Sequence, residues 1–310
     1  MTDSHGATEA VEVSLRRKSV RDVLALVKIE HTLFALPFAY AGMLLAADGW
    51  PGWRVFLLVS LAMVGARTAA MAANRVIDAA IDARNPRTAG REIPSGKLSS
   101  RDGLLVALAG VVVLVVAGVL LNPLTAALLP LALFFLIAYP YTKRFTWACH
   151  LWLGVTIGAA AAGGYIAVSG SFGATAWLLW LAVAAWVAGF DVLYAVLDID
   201  FDRADGVHSI PADLGINGAI WATGILYTVA VVALAAVGAG YGSVSGPTSG
   251  PARGLAWPYQ AALIAMVLML VEQHRQLRKH RDARVLDAFN ANMIIGPLIL
   301  VGTVLGLALR

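Results

Sequence analysis

Stretches of about twenty apolar residues recur along almost the whole chain, and no other feature limits its fold so sharply. A helix needs about that many residues to cross a hydrocarbon core of about 30 Å. Inside that core only segments that satisfy their own backbone hydrogen bonds persist, which selects helices over open strands. Nine spans are expected, near residues 25–47, 54–73, 103–121, 123–140, 147–168, 174–194, 217–240, 256–272 and 290–309. The third, Gly103 to Leu121, carries no charge at all. With 59% hydrophobic residues, 14% charged residues and a mean hydropathy of +0.76, the 310-residue chain has too little charge to cover a water-facing surface; soluble domains average about 25% charged residues. The expected fold is all-α and integral to the membrane, one bundle over residues 23–310 preceded by a polar cytoplasmic N-terminus over 1–22. That leading stretch holds Arg16, Arg17, Lys18 and Arg21 without an apolar run or a small-residue cleavage site, so no signal peptide is expected. A lone cysteine, Cys149, excludes a disulfide scaffold and is read as packing.

The cations set the orientation. With a cytoplasmic N-terminus, the inner segments (through Lys28, 74–102, 139–146, 195–216 and 273–289) carry 19 of the 23 Lys and Arg, against Arg54, Arg253 and Arg310 outside and Arg67 within a span. Lys and Arg are retained on the cytoplasmic side during insertion, so the expected site is the cell membrane, multi-pass, with the motif loops inside. The basic pI of about 9.3 follows from this topology and calls for no nucleic acid. Arg275, Arg278, Lys279, Arg281 and Arg284 suit anionic membrane lipids. The Gly/Ser/Pro-rich run between Gly238 and Gly254 reads as a connector without chemistry.

The acids carry the functional signal. Asn74, Asp78 and Asp82 recur every four residues at the end of one apolar span, and Tyr194, Asp198 and Asp202 repeat the pattern 120 residues later, with Asp191 just before and Asp205 just after. Four-residue spacing stacks side chains on one helical face. Like charges gathered near hydrocarbon require a compensating charge, and all-oxygen ligands favour a hard cation such as Mg²⁺, which takes one or two carboxylates plus substrate phosphates. Four carboxylates (about −4), two Mg²⁺ (+4) and a diphosphate (about −3) leave substrate charge to be met by Arg or Lys. The candidates are Arg75, Arg87, Arg91, Lys143 and Arg144, each of which is alternatively an ordinary positive-inside residue. Arg67, two turns before Asn74, and Asp191, seven residues before Asp198, have two readings: a structural ion pair, or contacts with the substrate's polar head. His31 reads as an interfacial residue, and His5, His150, His274 and His280 show no metal-ligand spacing. No Walker loop or GxGxxG fingerprint is present.

These residues resemble the UbiA superfamily of intramembrane prenyltransferases, whose signatures NxxxDxxxD and DxxYxxxDxxxD are matched by Asn74, Asp78, Asp82 and by Asp191, Tyr194, Asp198, Asp202. The likeness extends to Arg87, Arg91 and Pro94–Gly96 and to Tyr139–Thr146, and covers roughly residues 28–215. It implies a central cavity under a cap of cytoplasmic loops, with Mg²⁺ at Asn74, Asp78, Asp82, Asp198 and Asp202 holding a polyprenyl diphosphate. Arg67, Asp191 and Tyr194 are then the residues expected to act in catalysis. The Arg87–Gly96 and Lys143–Thr146 segments look most like the 4-hydroxybenzoate polyprenyltransferase branch, which transfers the prenyl group to the ring of an aromatic acid in quinone biosynthesis. The segment from Glu30 to Pro37 resembles equally the branch that prenylates 1,4-dihydroxy-6-naphthoate on the futalosine route to menaquinone. His208 departs from the pattern, since several members place Lys before the serine equivalent to Ser209. Paired intramembrane acids in a pseudo-repeat also occur in transporters, but these acids sit at span ends beside basic loops rather than at mid-span.

Overall fold

The structure, a computed structural model, describes residues 20–27, 34–241, 254–279 and 285–310. Among the described residues twelve α-helices follow one another: α1 (Val20–Val27), α2 (Leu36–Ala47), α3 (Trp53–Ile77), α4 (Ala79–Arg84), α5 (Ser100–Leu121), α6 (Pro123–Thr142), α7 (Cys149–Ser169), α8 (Ala174–Ala195), α9 (Ile199–Asp205), α10 (Ile210–Gly238), α11 (Trp257–Lys279) and α12 (Val285–Ala308). A 3₁₀ turn, Val196–Asp198, joins α8 to α9. Among the described residues no strand is present. Lys28, Glu30, His31, Arg253, Arg281, Arg284, most of the Gly/Ser/Pro-rich connector and nearly all of the polar leading stretch lie outside the described residues.

Among the described residues seven helical segments are long and apolar enough to cross a membrane: α3, α5, α6, α7, α8 with its continuation to Asp205, α10, and α12 from Asn290. The other two expected spans are helical but do not meet that measure. In the first, the longest described helix, α2, has only 12 residues, and the apolar stretch of α11 is bounded by Gln260 and by Glu272, Gln273 and His274. The chain is a multi-pass membrane protein by these helices. On α5, Leu104, Leu108 and Val112 form an outer face more than half exposed, as a lipid-facing stripe requires.

With lipid as apolar as leucine, helices in a membrane associate through close packing of small residues. At the α3–α5 crossing a Cβ on Gly65 would stand 2.6 Å from the backbone nitrogen of Leu114, so only glycine lets these backbones meet. The α7–α8 contact uses Gly158 in the same way, 2.7 Å from the nitrogen of Ala184. The largest core cluster gathers around Trp186, Phe38, Leu193 and Leu234. Beside it, α3, α6, α7 and α8 enclose a cavity of about 560 Å³ that runs from the motif ends of the helices to Leu121 and Phe172 near the opposite ends.

Candidate active site

Both motifs break their helix at the central aspartate. Asp78 closes α3 with φ −92° and ψ 0°, and Asp198 closes the 3₁₀ turn after α8 with φ −111° and ψ 7°. This sparsely populated bridge region recurs at active sites. The sequence reading of one continuous helical face is corrected here: each motif spans a helix, a break and a short second helix. Hydrogen bonds from Asp78 N–H to the Asn74 carbonyl (2.9 Å) and from Asp82 N–H to the Asp78 carbonyl (2.8 Å) keep the four-residue repeat, so the carboxylates still share a side.

Asp78, Asp82 and Asp202 are buried, Asp198 is partly buried, and each meets a donor. Asp78, 1% exposed, accepts from Asn74 Nδ2 (2.9 Å), Lys143 Nζ (2.7 Å) and an Arg144 terminal nitrogen (3.3 Å). Asp82 takes one Arg91 terminal nitrogen on both oxygens, at 2.7 and 2.8 Å. Asp198 accepts from Asn85 Nδ2 (3.1 Å) and from Arg87, whose Nε is 2.8 Å from Oδ1 and whose terminal nitrogen reaches Oδ2. Asp202 accepts from Ser209 Oγ at 2.9 Å. The loop after α4 folds back over the motif, with Thr88 Oγ1 donating to the Asp82 carbonyl (3.1 Å), and so brings Arg87 and Arg91 in. Arg87 thereby ties the loop that follows the first motif to the second motif, where its other terminal nitrogen donates to Tyr194 Oη at 2.7 Å and its guanidinium lies 4.9 Å over that ring. Burial alone would lower the Arg87 guanidinium, but hydrogen bonds and charge attraction from Asp198 hold it above its ordinary value. Farther out, Arg84 and Asp205 form a two-pronged pair at 2.7 Å on the surface.

Twelve of the thirteen residues expected from the sequence line this cavity. Five acids (Asp78, Asp82, Asp191, Asp198, Asp202) face five cations (Arg67, Arg75, Arg87, Arg91, Lys143), so the lining is formally balanced. Arg144 is the exception. It donates to the carbonyls of Pro140 and Ile77, both at 2.8 Å, and so caps the ends of α6 and α3 from outside the lining. Arg75 is 2% exposed, with its Nε buried and unpartnered beside Asp82 and Glu92. Of the two readings of Arg67 and Asp191, the mutual ion pair is not found: Asp191 pairs with His150, Nδ1 to Oδ2 at 2.7 Å. Sequence reasoning missed His150 and Asn85. Asn85 follows Asp82 by three residues, which was a usable signal, whereas His150 meets Asp191 only through tertiary packing. His208, in the position noted as a departure, turns to Asp213 at 2.9 Å.

Among the described residues no three metal-binding side chains form a ready-made cluster. The donor set is paired carboxylates beside cations, which fits a Mg²⁺ completed by substrate phosphates rather than by protein alone.

The model of the UbiA prenyltransferase family matches residues 35–295. A 4-hydroxybenzoate octaprenyltransferase of Aromatoleum aromaticum is 32% identical over 262 residues, covering 84% of each chain. One from Nitrosomonas europaea is 32% identical over 270 residues, covering 87% of this chain and 88% of that one. Among solved structures, an apo UbiA homolog from Aeropyrum pernix superposes with a TM-score of 0.78 at 36% identity over 88% of this chain and 97% of its own. A UbiA homolog from Archaeoglobus fulgidus bound to DMAPP and Mg²⁺ shares the fold at a TM-score of 0.67 and 15% identity, over 93% of this chain and all of its own. Matched across most of its length by family, relatives and fold, the chain belongs to the UbiA prenyltransferase family.

Proposed function

We propose that this enzyme transfers a polyprenyl group from its diphosphate to the ring of 4-hydroxybenzoate, ortho to the hydroxyl, at a Mg²⁺-assisted site on the cytoplasmic side. The observation that carries the proposal is that the aspartates of both motifs line one end of a single long apolar cavity, with Arg87 and Asn85, from the segment after the first motif, bonded to Asp198 of the second. The acceptor follows the names of the relatives, and the metal follows the Archaeoglobus homolog bound to DMAPP or GPP with Mg²⁺.

Asp78, Asp82, Asp198 and Asp202, with Asn74, are the oxygens that would hold Mg²⁺. The metal, when bound, supplies positive charge that stabilises the departing diphosphate. Arg75, Arg87, Arg91 and Lys143 stand around the same end of the cavity and meet the remaining phosphate oxygens, each charge-assisted contact strengthening as the leaving group gains charge. Tyr194 keeps Arg87 in place through its hydroxyl. The walls of Ala66, Ala70, Leu128, Ala132 and Phe135 take the prenyl tail and exclude water, which would otherwise quench the allylic cation. Arg67 lies about 10 Å deeper than Asn74 along α3, where it meets the acceptor carboxylate. Asp191 takes the proton lost by the acceptor as its ring attacks.

The test is prenyl transfer in proteoliposomes, using labelled polyprenyl diphosphate with 4-hydroxybenzoate or 1,4-dihydroxy-6-naphthoate. Product is expected from 4-hydroxybenzoate with Mg²⁺ and none in EDTA. Product from the naphthoate alone reassigns the acceptor, and product from neither contradicts the proposal.

A further inference from the structure

The register of α7 against α8 singles out one more side chain. The two antiparallel helices meet at Gly158 against Ala184 and, one turn on, at Gly154 against Ala188, where a Cβ on Gly154 would lie 3.0 Å from the Ala188 Cβ. The next rung is His150 against Asp191. Two close glycine contacts thus fix the backbones on which this pair stands, and His150 is 3% exposed.

Its two ring nitrogens have different partners. Nε2 lies 3.2 Å from the backbone N–H of Ile210, the first residue of α10. Helices leave their first N–H groups without intrahelical partners. Here Pro211 has none to offer, the Ala212 N–H goes to Ser209 Oγ at 3.2 Å, and His150 takes that of Ile210. A nitrogen that accepts a hydrogen bond carries no proton, so the imidazole is neutral and its single N–H is on Nδ1, aimed at Asp191 Oδ2. Ser209, which caps the same helix, donates to Asp202, so the start of α10 links Asp191, through the ring, to Asp202.

We infer that His150 is the positioning residue of Asp191: its Nδ1–H fixes one carboxylate oxygen and leaves the other turned to the cavity for the acceptor's proton. The inference rests on the reading of Asp191 as proton acceptor given above. In that step the acceptor's proton passes to Asp191 Oδ1, giving a carboxylic acid, while His150 neither gains nor loses a proton.

Two substitutions separate the halves of this arrangement. His150→Asn places an amide nitrogen where Nδ1 stands and abandons Ile210. His150→Gln places an amide oxygen where Nε2 stands and abandons Asp191. The expectation for the Asn variant is a lowered Tm with kcat within about threefold of wild type, and for the Gln variant a retained Tm with kcat down about tenfold or more and an unchanged KM for the prenyl diphosphate. If kcat follows Tm in both variants, His150 is structural only and the inference is overturned. Histidine nitrogen NMR of the wild type gives an independent reading that needs no variant to fold. A bare Nε2 and a protonated Nδ1 are expected at His150, and an imidazolium or the opposite tautomer overturns the assignment. Absence of any prenyl transfer by the wild type removes the functional reading and the role of Asp191 with it, whereas transfer with kcat following Tm removes the role of His150 alone.

Discussion

At Asp78 one carboxylate gathers Asn74, Lys143 and Arg144, three donors from two helix ends, while being 1% exposed. Removing it takes the shared acceptor from Lys143 and Arg144, which are about a quarter to a third exposed, so Asp78→Ala is expected to abolish most turnover and to lower Tm more modestly than the loss of a fully buried pair would. Asp198→Asn keeps the shape and leaves the helices alone. It is expected to lower kcat/KM by about a hundredfold or more with little change in Tm, measured by transfer assay and thermal unfolding. The pairing of Asp191 with His150 alters what is expected of Arg67. With no Arg67–Asp191 pair to mend, Arg67→Met combined with Asp191→Asn should not recover stability or activity, and Arg67→Met alone should raise the acceptor KM. Recovery of both Tm and kcat/KM in the double variant would contradict this. The aspartates were legible from their four-residue spacing because that spacing is local. His150 was not, because 41 residues separate it from Asp191 and only the α7–α8 register joins them.

The α7 helix shows how a bundle held by small residues sets its own precision. A side chain at Gly158 meets the Ala184 nitrogen at 2.7 Å and the Trp180 carbonyl oxygen at 2.8 Å, both backbone atoms that cannot rotate away. Gly158→Val is therefore expected to destabilise by about 1–3 kcal/mol or to prevent assembly. At Gly163, on the same helix, a Cβ meets nothing within 4 Å. Gly163→Ala should leave Tm unchanged or raise it slightly, since alanine favours the helix by about 1 kcal/mol over glycine. Equal losses in the two variants, read as detergent-solubilised Tm, would contradict the packing argument. The helix runs themselves were readable from hydropathy, within a few residues for α5 and α7. The breaks at Asp78 and Asp198 were not, because the hydrogen bonds across the first are those of an unbroken helix and no Gly or Pro marks either place.

Across the whole molecule, the ends of α3, α6 and α8 and the starts of α5, α7 and α10 bring the motifs to one face, while the turn between α7 and α8 lies at the other. The uneven distribution of cations predicts a cytoplasmic motif face. With Cys149 replaced by serine, Ser171→Cys should react with an impermeant thiol reagent in intact cells and Ser100→Cys only after lysis; the reverse pattern would invert the topology. The central claim is that two motifs 120 residues apart hold a single diphosphate. Equilibrium binding of an unreactive prenyl thiodiphosphate tests it most directly, in wild type, Asp82→Asn and Asp202→Asn, each with and without Mg²⁺. Binding that requires Mg²⁺ and weakens about tenfold or more in either variant is predicted. Binding that survives EDTA, or that depends on one motif and ignores the other, would contradict it.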